Sequence, residues 1–162
     1  MKTRLMLGEG PESKPEPDKI RIDVVKQWAD VVCDLNEYIP RTEVNVEMGK
    51  SLFFSYIEAH HLFEHIESTK QLKRIMQWCY DILEEGGTFD ITVPYWKSDS
   101  AVECIEHCRL FNENSFMNYY DNLYHKEMKL PQFRKVLNEL RDHGGHLEVH
   151  VVLTKDCMRS LE

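Results

Sequence analysis

Hydrophobic residues recur along this chain with two different periods, and each period predicts a different kind of backbone. Alternating or short apolar runs, which are typical of strands, occur in "RLMLG", "KIRIDVV", "ADVVCDL", "SLFFSYIEA", "TFDITVP" and "HLEVHVVL". Between the first two runs lies "GPESKPEPDK", whose prolines exclude a regular helix and predict an extended loop. The pattern therefore predicts five strands before residue 95 and a last strand near the end of the chain.

Helical spacing is clearest over residues 68–87, where apolar side chains recur every three or four positions. Ser68 and Gln71 have the spacing of a capping box at its start, and Gly86 and Gly87 predict its end. A second helix is predicted from Pro131 to the "HGG" at 143–145, and a short one after Ser115. Their predicted inward side chains are Phe133, Val136, Leu137 and Leu140 in the second helix, and Phe116, Tyr119, Tyr120 and Leu123 in the short one.

Strands that alternate with helices predict an α/β fold with an open, mostly parallel sheet. A chain of 162 residues suits one domain, which we expect to span residues 1–162.

The net charge of −8 makes nucleic acid an unlikely partner, and the basic run "KQLKR" is interpreted as a solvated helix face. No apolar run is long enough for a membrane span. The first residues do not resemble a signal peptide, so we expect a cytoplasmic protein.

In a parallel sheet, ligands bind beyond the carboxyl ends of the strands. The residues at those predicted ends are Gly8, Asp23, Asp34, 59–61 and 94–96. The glycines of "LGEGP" could leave backbone N–H groups free for a ligand, or could form a simple turn. Asp23 could accept hydrogen bonds from ribose hydroxyls, or be an ordinary surface aspartate, and Asp34 could reach an adenine amino group.

Taken together, these segments resemble the small class I S-adenosylmethionine-dependent methyltransferases. The segments "LMLGEGP", "IRIDV", "VVCDL", "YIEAHHLFEHI", "ILEEGGTFDITVP" and "EHCRLFNENSF" occur in that family's order and cover about residues 4 to 120. The resemblance implies a Rossmann-like sheet with helices on both faces and an antiparallel last strand. It also implies methyl transfer from S-adenosylmethionine to a small or medium-sized acceptor.

Carried over by position, the resemblance implies a cofactor site and an acceptor pocket. The implied cofactor-binding residues are Leu7, Gly8, Glu9, Gly10, Asp23, Asp34, Leu35, Ala59, His60 and His61. Tyr95, Trp96 and Arg109 would border the acceptor. His107 is the first candidate for the base that deprotonates the acceptor and His61 is the second, because histidine titrates near neutral pH.

Two departures from the family pattern favour an alternative in which the protein binds the cofactor or a partner without turnover. Glu9 stands where the family has cysteine or a small residue, and Cys104 replaces the aspartate of its D-P-T-H motif. Aromatic side chains around residues 119–124 could cover the pocket or pack a homodimer.

A zinc hydrolase is a third hypothesis, because His61-x-x-Glu64-His65 fits the inverted zinc-peptidase pattern on a helix. It needs a further ligand, for which the region of Glu139 is the candidate. The run "CIEHC", with Cys104, His107 and Cys108, matches no common zinc spacing and is interpreted as free thiols. We expect no metal site.

Overall fold

The computed structural model describes residues 3–8, 10–11, 14–48, 53–121 and 130–156. Its described part contains a seven-stranded sheet with the order β3-β2-β1-β4-β5-β7-β6. The strands are β1 Arg4–Leu7, β2 Lys19–Asp23, β3 Val31–Val32, β4 Phe54–His60, β5 Leu83–Pro94, β6 Arg134–His143 and β7 His146–Thr154. The predicted open α/β sheet is therefore confirmed, with one strand more than the sequence indicated.

Parallel pairing joins the first five strands, and β1 lies between β2 and β4. Leu7, the last residue of β1, is opposite Ile22 of β2 and Ala59 of β4. The carboxyl ends of these three strands therefore lie side by side at one edge of the sheet. The last strand, β7, is antiparallel to both β5 and β6, as expected from the resemblance.

The helix predicted from Pro131 is wrong, because residues 134–143 form strand β6. Gly144 and Gly145 do not end a helix. Both have positive φ angles, and they connect the paired residues His143 and His146 as a two-residue hairpin turn. The helical spacing of Leu137 and Leu140 was misleading, since β6 is an exposed edge strand whose hydrogen bonds are supplied by β7.

Two α-helices are present among the described residues, α1 Arg41–Met48 and α2 Thr69–Ile82. The predicted cap of α2 is confirmed, because the Ser68 hydroxyl accepts a hydrogen bond of 2.9 Å from the Gln71 N–H. The predicted end is wrong: α2 stops at Ile82, and β5 begins at Leu83 with a register irregularity opposite β4. The sequence analysis did not predict α1. No described helix is long and apolar enough to cross a bilayer.

One continuous core lies on a single face of the sheet, which we call the apolar face. The core includes Leu5, Ile57 and Phe89 from neighbouring strands, Val44 from α1, and the inward side of α2. Leu72, Ile75, Met76, Trp78 and Cys79 are the buried apolar side chains of α2. Both described α-helices therefore cover this face, and the helices expected on the second face are not found among the described residues.

Alternate residues of the same strands form the polar face of the sheet, which includes Arg4, Tyr56, Glu58, Asp90 and His150. Hydrogen bonds connect these side chains. Tyr56 Oη donates to Asp90 Oδ2 at 2.8 Å, and His150 Nε2 lies 2.8 Å from Asp90 Oδ1. Burial alone would raise the pKa of Asp90, but hydrogen bonds from His60, Tyr56 and His150 lower it to about 2.

The short helix predicted after Ser115 is a 3-10 turn at Met117–Tyr119. Phe116 and Tyr119 are buried as expected, and the Tyr120 hydroxyl accepts a hydrogen bond from Asn138 Nδ2 at 2.8 Å. These aromatic rings pack within the chain. Leu123 and the rest of the expected aromatic surface lie outside the described residues.

Replacing Asp90 with Asn should lower the free energy of unfolding at neutral pH by about 1–3 kcal/mol, because a charged acceptor is lost. The lowered pKa stabilises the folded protein above the ordinary aspartate pKa of 3.8, and this contribution disappears as pH falls towards 2. Urea unfolding of both proteins from pH 7 to pH 2 should show the difference shrinking below pH 4. Asp81→Asn, on the exposed side of α2, is the control, and a difference independent of pH would contradict the assignment.

Candidate functional site

The loop after β1 lies against the end of β2 and is joined to it by hydrogen bonds. Gly10 N donates to Asp23 Oδ2 at 3.1 Å, and Val25 N donates to Asp23 Oδ1 at 2.8 Å. Asp23 is buried, with 8% of its surface exposed, and these two hydrogen bonds hold its carboxylate at the edge of the sheet. Each oxygen accepts one of these backbone N–H groups and retains a lone pair for a further donor. Glu9 lies outside the described residues.

Glycine is favoured at the first position of this loop for two reasons. Gly8 has φ +68°, and a Cβ there would lie 3.1 Å from Leu62 Cδ1 and 3.3 Å from Leu62 Cβ. Gly10 has φ +66°, but apart from its chain neighbours no atom of the described residues lies within 4 Å of the position its Cβ would take. Among the described residues Gly10 is therefore uncrowded, whereas Gly8 packs against the segment that follows β4.

Asp34 and Leu35 follow β3, and the structure gives them different surroundings. The Asp34 side chain is half-buried and accepts a hydrogen bond from Asn36 N at 2.8 Å. Leu35 is buried, and its carbonyl accepts a hydrogen bond from Gln71 Nε2 of α2 at 2.6 Å. Asp34 is therefore the more accessible of the two for a polar ligand.

The three site residues that were predicted at the end of β4 have different surroundings. Ala59 is fully buried in the core, while the exposed His60 side chain lies on the polar face, with Nε2 3.5 Å from Asp90 Oδ1. His61 has φ 51°, and its ring lies between two carboxylates. Its Nδ1 is 3.2 Å from Glu64 Oε1 and its Nε2 is 3.0 Å from Glu148 Oε1.

The carboxylates beside His61 change its protonation. The hydrogen bond to Glu64 raises the pKa of His61, burial opposes this, and the negative charges of Glu64 and Glu148 raise it further. The protonated form therefore persists to a higher pH than in a free histidine. A protonated imidazole has no lone pair, so these neighbours weaken His61 as a general base.

Three side chains that could bind a metal ion lie close to His61. Glu64 and His65 belong to a 3-10 turn at Phe63–His65, and His107 comes from the loop after β5. One ligand atom from each lies within 4.8 Å of the other two. The rings of His65 and His107 meet edge to face, with centroids 4.7 Å apart.

The residues expected around the acceptor lie in the loop after β5. Trp96 is 45% exposed, and Tyr95 is partly buried against the core. The Arg109 guanidinium donates to the carbonyl oxygens of Ile66 and Glu67 and to Thr69 Oγ1. Its described contacts thus attach this loop to the start of α2.

Two surface cavities lie beside α2. One of about 440 Å³ is bordered by Lys70, Lys73 and Arg74, and one of about 260 Å³ is bordered by Arg109 and Phe116. The glycine loop and Asp23 do not border either cavity. The candidate site lies at the hydrogen-bonded edge of the sheet, because the polar groups of the glycine loop and Asp23 meet there.

Glu148 is a site residue that the sequence analysis missed. It belongs to β7, where it pairs with Pro94 of β5, and this antiparallel register brings its carboxylate to His61. Aligning "HLEVHVVL" against "TFDITVP" as antiparallel strands could have found it.

The helix required by the zinc-hydrolase hypothesis is absent at His61 and His65, and Glu139 lies on β6 next to Arg141.

No protein-family model and no curated protein matches the sequence. Solved structures do match. A SAM-dependent methyltransferase from Archaeoglobus fulgidus has a TM-score of 0.61 at 13% identity, over 95% of this chain and 86% of that chain. The N-methyltransferase NodS from Bradyrhizobium japonicum WM9 has a TM-score of 0.60 at 12% identity, over 96% and 86%.

NodS in complex with S-adenosyl-L-homocysteine also matches, with a TM-score of 0.50 at 10% identity over 95% of this chain and 78% of that chain. At these identities the likeness concerns the fold. Together with the sheet order, it shows that this chain has the fold of class I S-adenosylmethionine-dependent methyltransferases.

The two glycines of the loop should respond differently to alanine. Gly10→Ala should cost about 1–2 kcal/mol, because only the left-handed backbone is strained. Gly8→Ala should cost about 1 kcal/mol or more beyond that, because the new methyl group also crowds Leu62. Chemical denaturation of the two variants tests this order, and equal losses would show that the contact with Leu62 is easily relieved.

Proposed function

We propose that this protein binds S-adenosylmethionine at the carboxyl ends of β1, β2 and β4 and transfers its methyl group to a small or medium-sized acceptor. The observation that carries the proposal is the fixed pairing of the glycine loop with Asp23 at this edge. In open α/β sheets this edge is where nucleotide-like ligands bind. The shared fold supports the assignment.

The residues present suit such a cofactor. Both Asp23 oxygens keep a lone pair, so the carboxylate can accept hydrogen bonds from two ribose hydroxyls. No described residue other than its chain neighbours crowds the Cβ position of Gly10, and a glycine there suits close approach of a ligand to the backbone. In this proposal Leu7, Gly8, Glu9 and Gly10 line the methionine part. Asp34 and Leu35 flank adenine, and residues 59–61 border the sulfonium.

A bound S-adenosylmethionine would supply a methyl group already activated by its sulfonium, so the protein's main task is to align the acceptor. His61, between Glu64 and Glu148, would hold a proton at this edge. The ring of His107 is different: Nδ1 lies 3.3 Å from the carbonyl of Ala101, and a carbonyl can only accept. Nδ1 therefore carries the proton, and the Nε2 lone pair could accept a proton from an acceptor or bind a cation.

Cofactor binding without turnover is the second candidate. It is favoured by the contacts of Arg109, which are made with backbone carbonyls and Thr69 in place of an acceptor. The replacement of the family's aspartate by Cys104 also favours it. Release of S-adenosylhomocysteine in the presence of acceptor mixtures would exclude this second candidate.

We further propose a cytoplasmic location, which is supported by the four described cysteines, all of them free thiols. The acidic composition supports an acceptor other than nucleic acid. Association into a homodimer stays a prediction.

Calorimetry with S-adenosylmethionine and S-adenosylhomocysteine tests the proposal. The unaltered protein should bind both, and Asp23→Asn should weaken binding about 10-fold or more, because hydrogen bonds to a charged acceptor are lost. Asp18→Asn, just before the opposite end of β2, is the matched control and should bind normally. No binding of either nucleoside by the unaltered protein would refute the function.

A further inference from the structure

The group formed by Glu64, His65 and His107 stands outside the proposed cofactor contacts. Its members come from two separate loops, the turn after β4 and the loop after β5. Two hydrogen bonds join these loops directly, since Cys108 N donates to the Glu64 carbonyl at 2.9 Å and Cys108 Sγ donates to the same carbonyl at 3.2 Å. The two loops that supply the three ligand atoms are therefore connected next to those atoms.

Within the described part of the chain, one of the two carboxylate oxygens of Glu64 is buried and unpaired. Glu64 is 1% exposed, and its Oε2 is buried with no hydrogen-bond partner among the described residues. Its Oε1 lies 3.2 Å from His61 Nδ1. An unpaired buried carboxylate oxygen is costly. A cation bound by Glu64 would remove that cost.

One of the two histidines has a hydrogen bond that is typical of metal-binding histidines. His107 Nδ1 lies 3.3 Å from the Ala101 carbonyl, to which it can only donate, and this contact leaves Nε2 available as the ligand atom. Metal-binding histidines commonly donate the other ring N–H to a carbonyl or carboxylate in this way, and metal-binding carboxylates commonly accept a hydrogen bond, as Glu64 does from His61.

We infer that Glu64, His65 and His107 form a binding site for a divalent transition-metal ion, with Zn²⁺ as the best-suited representative. Two imidazoles and one carboxylate are a common zinc set that leaves a fourth position open. Tetrahedral ligands at zinc distances lie about 3.4 Å apart. The present separations, within 4.8 Å, need side-chain movements of about 1 Å. Imidazole ligands disfavour Mg²⁺ and Ca²⁺.

A metal here would connect the turn after β4 to the loop after β5, next to His61. If His107 Nε2 binds the metal, its lone pair is no longer available, and His107 cannot also act as the base that deprotonates the acceptor. The site differs from the inverted peptidase pattern, because His61 orients Glu64 instead of binding the ion, and His107 takes its place.

Zinc titration of the chelator-treated full chain, without any nucleoside, tests this inference independently of the proposed function. Calorimetry and metal analysis after dialysis should give one equivalent of zinc. His107→Gln and Glu64→Gln should each weaken binding at least about 10-fold, as expected for the loss of a ligand. His146→Ala, an exposed histidine on the hairpin, is the matched control and should leave binding unchanged.

Absence of zinc binding, or equal binding by all variants, would overturn the inference. If the variants fail to fold, the Co²⁺ spectrum of the unaltered protein decides. Weak d–d bands without thiolate charge transfer support a His/Glu set. Intense charge transfer, abolished by Cys104→Ser with Cys108→Ser, would assign the metal to those cysteines and overturn it.

Discussion

The parallel pairing of β1 with its two neighbours is the constraint on which the candidate site depends. The four-residue strand β1 takes its register from Ile20 and Ile22 on one side and from Ile57 and Ala59 on the other. A slip of one residue would turn Leu5 and Leu7 out of the core, so burial fixes the register. The same register brings Gly8 and Gly10 to Asp23 and the end of β4.

The turn after β4 is the second point on which the site depends. Leu62 packs against Gly8, Glu64 approaches His61, and the Glu64 carbonyl accepts two hydrogen bonds from Cys108. Because the loop after β5 is fixed to this turn, the glycine loop and His107 are indirectly connected.

The two faces of the sheet are stabilised in different ways, and the described part of the chain contains only two α-helices. Apolar side chains on one face pack against α1 and α2, whereas the other face is stabilised by hydrogen bonds and ion pairs between its own strands. Asp90 is central to that network, since Tyr56, His60 and His150 all approach its carboxylate. Charged side chains thus replace a second apolar layer over the described part of the sheet.

Local patterns in the sequence determined the five parallel strands, the cap of α2 at Ser68 and the glycines and Asp23 at the strand ends, because these features depend on neighbouring residues and on alternation. Only the tertiary structure decided the rest. Residues 134–143 have helical spacing, yet pairing with β7 makes them a strand. Glu148 meets His61, and His107 meets Glu64 and His65, because strand pairing and loop contacts bring together residues that lie far apart in the chain. Such distant contacts leave no periodic signal in one sequence, so the strand ends that form the candidate site could be predicted and the three-ligand group could not.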